Sequence, residues 1–102
     1  MKSLIYNQIL GAVEQATEVP RERILSREKL PEVVEARALL FHFLLKKKFR
    51  QAEISRLTKL SRQCVSAHIA DFDTRKGKEG SIMSLCYQDI ITILSAPRPQ
   101  NS

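Results

Sequence analysis

The sequence predicts a single all-α domain of five or six helices, and three observations lead to this fold class. The chain has 102 residues, which is about the size of one small domain. Its apolar residues recur three and four positions apart along most of the chain, as they do on helix faces. The β-branched run at 90–93 has no second strand to pair with. We therefore expect a domain over residues 1–95 and a flexible tail over 96–102.

The first half of the chain predicts a helix, a short helical turn and a longer central helix. Ser3 can cap the first helix, whose apolar face begins at Leu4 and which should end near Val19, before the next proline. After a short turn, residues 26–30 lack periodicity and are predicted to be a loop. Residues 32–48 are apolar around most of the helix circumference, which is typical of a central, buried helix.

The second half predicts three further helices. Residues 51–58 and 62–74 have apolar residues at helical spacing and are separated by a three-residue turn. A glycine-containing break at 77–80 then precedes a last, broadly apolar helix over 82–94.

The formal net charge of +6 is concentrated in one segment. Residues 46–62 carry seven basic residues and one acidic residue, and the remaining charges cancel. A localised positive field is typical of a protein that binds a polyanion, either nucleic acid or an anionic membrane surface. The alternative is a solvated basic face. Because the apolar run before Lys46 looks like core and not like one amphipathic face, we expect no membrane partner.

The composition favours a binding domain over an enzyme. A chain of this length has a small core, which leaves little room for a catalytic cleft as well. No stretch approaches the ~20 apolar residues of a membrane span, and residues 1–11 do not form a secretory signal. We therefore expect a cytoplasmic protein, in which Cys64 and Cys86 are free thiols.

Residues 51–69 resemble a helix-turn-helix DNA-binding motif. Two helices that cross steeply need apolar contacts, and these are supplied by Ile54, Leu57, Leu60 and Val65. Ser61 is placed to cap the second helix, whose positive dipole end then attracts phosphate. Two positions depart from the motif, since Lys59 stands where Gly is usual and Ser55 occupies the small-residue position of the crossing. A left-handed Lys59 would cost about 1 kcal/mol.

The outward face of the second helix carries the residues predicted to read DNA bases. Arg can bond a guanine edge twice and Gln an adenine edge twice, and small side chains let the helix lie close to the groove floor. The predicted base-reading residues are Arg62, Gln63, Ser66 and Ala67. The predicted phosphate contacts are Lys46, Lys47, Lys48, Arg50, Arg56, Lys59 and Ser61. Duplex DNA is the expected partner, with no catalytic residue, cofactor or metal.

A longer resemblance covers about residues 5–72. It is carried by Ile24-Leu25-Ser26 with basic residues following, by residues 32–37 at the start of the long helix, and by Glu53-Ile54 before the helix-turn-helix. These residues resemble the C-terminal DNA-binding domain of the bacterial replication initiator (DnaA) family, which has a Trp-repressor-like helical fold.

This resemblance implies a stand-alone copy of that domain, acting in transcription or replication control. It implies a minor-groove contact at Lys29, and it gives Arg37 two interpretations, a phosphate contact or a partly buried structural residue. The family keeps an Asp-His-Ser/Thr-Thr run where this chain reads Ser61-Arg62-Gln63-Cys64, so the difference falls on the base-reading residues. We do not expect a complete initiator, because the chain has no G-x-x-x-x-G-K-[ST] phosphate loop.

Two alternatives compete with DNA binding. Cys64 and His68 lie four residues apart on one helix, a spacing that can hold a metal, but only His42 and Cys86 could complete the set. The stronger alternative is a protein-interaction module, in which the apolar helix 82–94 docks on a partner or forms a homodimer. DNA binding is compatible with such a dimer, because dimers read paired half-sites.

Overall fold

The computed structural model describes residues 2–75 and 82–95, and all the regular structure in that part of the chain is α-helical. The helices are α1 (Lys2–Thr17), α2 (Arg21–Ile24), α3 (Pro31–Lys46), α4 (Gln51–Thr58), α5 (Arg62–Arg75) and α6 (Ile82–Ser95). The predicted all-α fold class is therefore confirmed. No helix among these residues is long and apolar enough to cross a membrane. The predicted break at 77–80 and the predicted tail at 96–102 lie outside the described residues.

Helix α3 lies at the centre of the fold, as its near-continuous apolar composition predicts. It contacts α1, α2, α4, α5 and α6. Its buried residues are Val33, Ala36, Arg37, Ala38, Leu39, Leu40, Phe41, Phe43 and Leu44. Pro31 occupies the first helical turn, where its missing N–H would have no intrahelical partner in any case. The other helices pack around α3 in one shared hydrophobic core.

Helix α1 departs from the prediction at its start. It already includes Lys2 and Ser3, so the predicted capping role of Ser3 is wrong. Leu4 is 57% exposed instead of lying on the core face. With 3.6 residues per turn, an α-helix places Leu4 on the side opposite Ile9 and Val13, and both of these are buried. The apolar face of α1 therefore begins after Leu4.

Two helices end earlier than the sequence predicts because a left-handed residue follows each of them. Helix α1 ends at Thr17, and Glu18 has a φ of 60°. Helix α3 ends at Lys46 instead of continuing to Lys48, which has a φ of 72°. After α3, the amides of Lys48 and Phe49 donate to carbonyls of the last turn at 2.9 and 3.1 Å, the pattern of a Schellman motif. Phe49 is buried, so core packing favours this turn over a longer helix.

Helix α6 packs along α1 and also contacts α3. Ile90 is fully buried. Partly buried apolar residues of α6 pack against the same core: Cys86, Tyr87, Ile91, Ile93 and Leu94. The apolar side chains of residues 86–95 therefore belong to the core of this domain.

Candidate nucleic-acid interface

The turn between α4 and α5 is held by local hydrogen bonds. Lys59 has a φ of 62° and a ψ of 25°, the left-handed conformation that favours glycine. The Ser55 hydroxyl donates to the Leu60 carbonyl, and the Leu60 amide donates to the Thr58 hydroxyl at 3.3 Å. Side chains of α4 thus satisfy the backbone of the turn, and the chain reverses within three residues.

Ser61 caps α5, as predicted. Its hydroxyl accepts a hydrogen bond from the Cys64 amide at 3.1 Å, and its carbonyl accepts from the Val65 amide at 3.0 Å. Helices α4 and α5 contact each other. The four residues predicted to pack between them are buried or partly buried in the core: Ile54, Leu57, Leu60 and Val65.

The predicted base-reading residues share one exposed face at the start of α5. These residues are Arg62, Gln63, Ser66 and Ala67, and all four are exposed. Arg62 and Ser66 are four residues apart, as are Gln63 and Ala67, so they form two neighbouring rows on the helix surface. The structure therefore brings together the side chains that the sequence selects.

The predicted phosphate contacts are all exposed. Along the chain, Lys46, Lys47, Lys48 and Arg50 precede α4, and Arg56, Lys59 and Ser61 lie in its last turn or just after it. Lys46 has a second role. Its Nζ lies 3.3 Å from the Tyr87 hydroxyl and 5.9 and 5.7 Å from the ring centres of Phe43 and Tyr87. Lys46 therefore also holds α6 against α3.

A groove of about 740 Å³ lies beside the exposed face of α5. Arg27 and Lys29, from the loop after α2, line it together with Ser61, Gln63 and Ala67. Val34 of α3 and Leu60 of the turn are also among its lining residues. The sequence singles out Lys29 but not Arg27, although both are basic residues that follow the short helix. The fold thus places a basic loop and the start of α5 on the same groove.

The loop that carries Arg27 and Lys29 is held through the residue between them. The Glu28 carboxylate accepts from Arg23 Nε at 3.0 Å and Nη2 at 2.5 Å, and this hydrogen-bonded partner lowers the pKa of Glu28. The Ser26 hydroxyl donates to the Arg23 carbonyl at 2.6 Å and accepts from the Glu28 amide at 3.1 Å. Because the Glu28 carboxylate is paired with the Arg23 guanidinium and held in place, the exposed side chains of Arg27 and Lys29 dominate the charge of the loop.

Arg37 is buried beneath this loop and bonded to its backbone. Nε donates to the Ile24 carbonyl at 2.7 Å. Nη2 donates to the carbonyls of Glu28 at 3.0 Å and Arg23 at 3.4 Å. Burial lowers the pKa of Arg37, but an Arg remains charged at neutral pH. Because Arg37 is only 2% exposed, the structural interpretation fits and a direct phosphate contact does not.

Arg37 also reaches α5, through His68. Its Nη1 lies 3.3 Å from His68 Nε2, and His68 Nδ1 lies 2.8 Å from the Cys64 carbonyl oxygen. Since a carbonyl only accepts, Nδ1 carries the proton, and Nε2 of the neutral ring accepts from Arg37. The His68 ring packs edge-on against Phe41, with centroids 5.5 Å apart. His68 therefore links the central helix to α5.

The four candidate metal ligands do not converge. His42 Nε2 lies 3.4 Å from the Tyr87 hydroxyl, and the Cys86 thiol lies 3.7 Å from the Ala16 carbonyl. Cys64 and His68 sit instead beside the groove. Among the described residues, no group of three or more His, Cys, Asp or Glu side chains is placed to hold a metal ion. Burial raises the pKa of the Cys86 thiol, which keeps that sulfur protonated and poorly reactive at neutral pH.

The site as a whole presents hydrogen-bond donors and positive charge around one helix. Within the described part of the chain, Arg56, Lys59 and Arg62 form no ion pair, and all three are exposed. Such side chains can bind phosphate oxygens, and Arg and Gln can also bind base edges. No protein-family model, curated protein or solved structure matches this chain.

Proposed function

We propose that this chain is a sequence-specific double-stranded DNA-binding domain, in which α4 and α5 form a helix-turn-helix and α5 enters the major groove. One observation carries the proposal. Arg27 and Lys29, from the loop after α2, line the same groove as Gln63 and Ala67 of α5. In a duplex, one phosphate backbone separates the major groove from the adjacent minor groove. A helix that reads bases in the major groove, beside a basic loop that reaches the adjacent minor groove, fits this arrangement of the two grooves.

The exposed residues divide into two roles. Arg62, Gln63 and Ser66 contact base edges, and Ala67 leaves space for a close approach. The basic residues at the two ends of α4 contact phosphates and set the orientation of the domain. Helix α4 has eight residues and is about 12 Å long. This is less than one turn of DNA, about 34 Å, so both ends can reach the same duplex.

The resemblance of residues 5–72 to the DnaA-family DNA-binding domain supports a role in transcription or replication control. The order of elements agrees with that resemblance, because a short helix and a basic loop are followed by a long buried helix and a helix pair. In this proposal the domain is Trp-repressor-like. Lys29 is the minor-groove contact, and Arg27 is a second candidate for the same role.

Protein interaction through residues 82–94 has less support. The apolar side chains of residues 86–95 pack on the core of the same domain. In that segment the exposed residues are all polar: Gln88, Asp89, Thr92 and Ser95. A partner that docks on residues 86–95 would therefore meet a polar surface, whereas an apolar docking helix would expose its hydrophobic side chains.

The first test is selection from a randomised duplex library at about 0.15 M salt, where weak charge-driven binding is reduced. An enriched sequence motif is the expected result. The affinity for that motif should fall with salt with a log-log slope of roughly −4 to −5, as expected for four to six phosphate contacts. If no motif is enriched, sequence-specific binding is ruled out.

The second test separates base reading from charge. Arg62→Ala should cost about 1–3 kcal/mol on the selected site and much less on random DNA, because a base contact is made only on the right sequence. Lys59→Ala is the matched control, since it removes a neighbouring charge assigned to phosphate and should weaken both complexes equally. An equal loss on both DNAs for Arg62→Ala would make Arg62 a backbone contact.

A further inference from the structure

Arg37 contacts both sides of the groove. Towards the loop, its Nε and Nη2 hold the carbonyls of Ile24 and Glu28 at 2.7 and 3.0 Å. Towards α5, its Nη1 lies 3.3 Å from His68 Nε2. Glu28 separates Arg27 from Lys29, so a fixed Glu28 carbonyl fixes the backbone from which both basic side chains extend. The Arg37 side chain therefore bridges the loop and α5.

We infer that Arg37 is a positioning residue, which sets the distance between the loop 26–30 and α5 so that both meet the same DNA segment. This inference rests on the proposed DNA-binding function. Arg37 does not itself touch DNA, because it is 2% exposed. It acts through the basic side chains of the loop, and the specific prediction concerns Lys29.

The guanidinium group suits this role in a way that an ammonium group does not. Its N–H donors point in fixed, coplanar directions, so its several acceptors are held at defined angles to one another. A Lys at this position would keep a long side chain with a nitrogen donor at its end but would lose the fixed, planar set of donors. Arg37→Lys is therefore the informative substitution, since it removes the geometry of the guanidinium with little change in side-chain size.

The test is a double-mutant cycle on DNA affinity. In the native chain, Lys29→Ala should weaken binding to the selected site about tenfold, the value of one charge-assisted contact. In the Arg37→Lys background, Lys29→Ala should weaken it less than about threefold, because the loop is no longer held in register with α5. Lys59→Ala is the matched control. Its turn is not bonded to Arg37, so its effect should be the same in both backgrounds.

A second variant keeps the test decisive if Arg37→Lys does not fold. His68→Phe retains a ring that can pack on Phe41 but removes the nitrogen that accepts from Arg37. The effect of Lys29→Ala should shrink in this background as well. An unchanged effect of Lys29→Ala in the folded variants would overturn the inference, as would a Lys29→Ala chain that binds like the native one.

A measurement without DNA separates this inference from the proposed function. Backbone NMR order parameters for residues 27–30 should be near 0.85 in the native chain and fall below about 0.6 in Arg37→Lys. Unchanged order parameters would overturn the positioning role even if DNA binding is confirmed. If the loop loosens as expected but the native chain selects no DNA sequence, the proposed function fails, and the DNA role of Arg37 fails with it.

Discussion

Lys59 allows the backbone conformation and the DNA contact to be tested at one residue. It is exposed, with a φ of 62°, between α4 and α5. A residue with a Cβ costs about 1–2 kcal/mol in this left-handed conformation, and Gly does not. Gly loses about 0.4–1 kcal/mol of this advantage, because it raises the conformational entropy of the unfolded chain. We therefore expect Lys59→Gly to be more stable than Lys59→Ala by about 0.5–1 kcal/mol, or roughly 4 °C in Tm.

The two variants should behave alike towards DNA. Both remove the same positive charge, so each should make the log-log salt slope shallower by about 0.9, the effect of one phosphate contact. Thermal unfolding and binding titrations at several salt concentrations measure the two effects separately. Equal Tm values for Lys59→Ala and Lys59→Gly would refute the strain argument. An unchanged salt slope in both variants would refute the phosphate contact.

Substitutions at three further positions test the fold. Glu14→Gln removes a carboxylate whose pKa is lowered, first of all by its hydrogen bonds to Arg21. The native chain should be more stable by about 0.5–1 kcal/mol near neutral pH. That difference should shrink as the pH falls below about 4.3 and should vanish once the pH is below the lowered pKa of Glu14 in the folded chain, because protonation removes the ion pair. A pH-independent difference in chemical unfolding would contradict this account. Ser61→Ala should cost about 1 kcal/mol of stability, and Ser61→Asn should restore most of it, unless capping is unimportant for α5. Ile54→Ala should cost about 2–5 kcal/mol of the free energy of unfolding in denaturant, since the Ile54 side chain of α4 is fully buried in the core. A loss below about 1 kcal/mol would show that the core is poorly packed around Ile54.

The elements nearest the proposed interface are those that the sequence predicts best. The bounds of α4 agree with the prediction at both ends, because its signals are local. Glu53 accepts from the Arg50 amide at 3.0 Å at the start of the helix, and Lys59 turns the chain at its end. The start of α5 is predicted for the same reason, since Ser61 caps it from the adjacent position.

Features that depend on distant residues could not be predicted. The partners of Arg37 are backbone carbonyls of another element and a His on α5, and no periodicity in the sequence encodes them. The early end of α3 has a similar cause. Lys46, Lys47 and Lys48 favour a helix by propensity, but burial of Phe49 in the core requires the left-handed residue at Lys48. Tertiary packing decides both cases.

The outward face of α5 combines long polar side chains with small ones. Ser66 and Ala67 are both exposed and small, beside Arg62 and Gln63. An α-helix with side chains is about 10–12 Å across and the DNA major groove is about 12 Å wide, so small residues at the contact allow a helix to approach the bases. A protein partner would account for small exposed residues, but it would not account for the basic loop or for the basic residues on either side of α4. Duplex DNA accounts for both features, because it offers a narrow site for the helix and phosphates on either side of it.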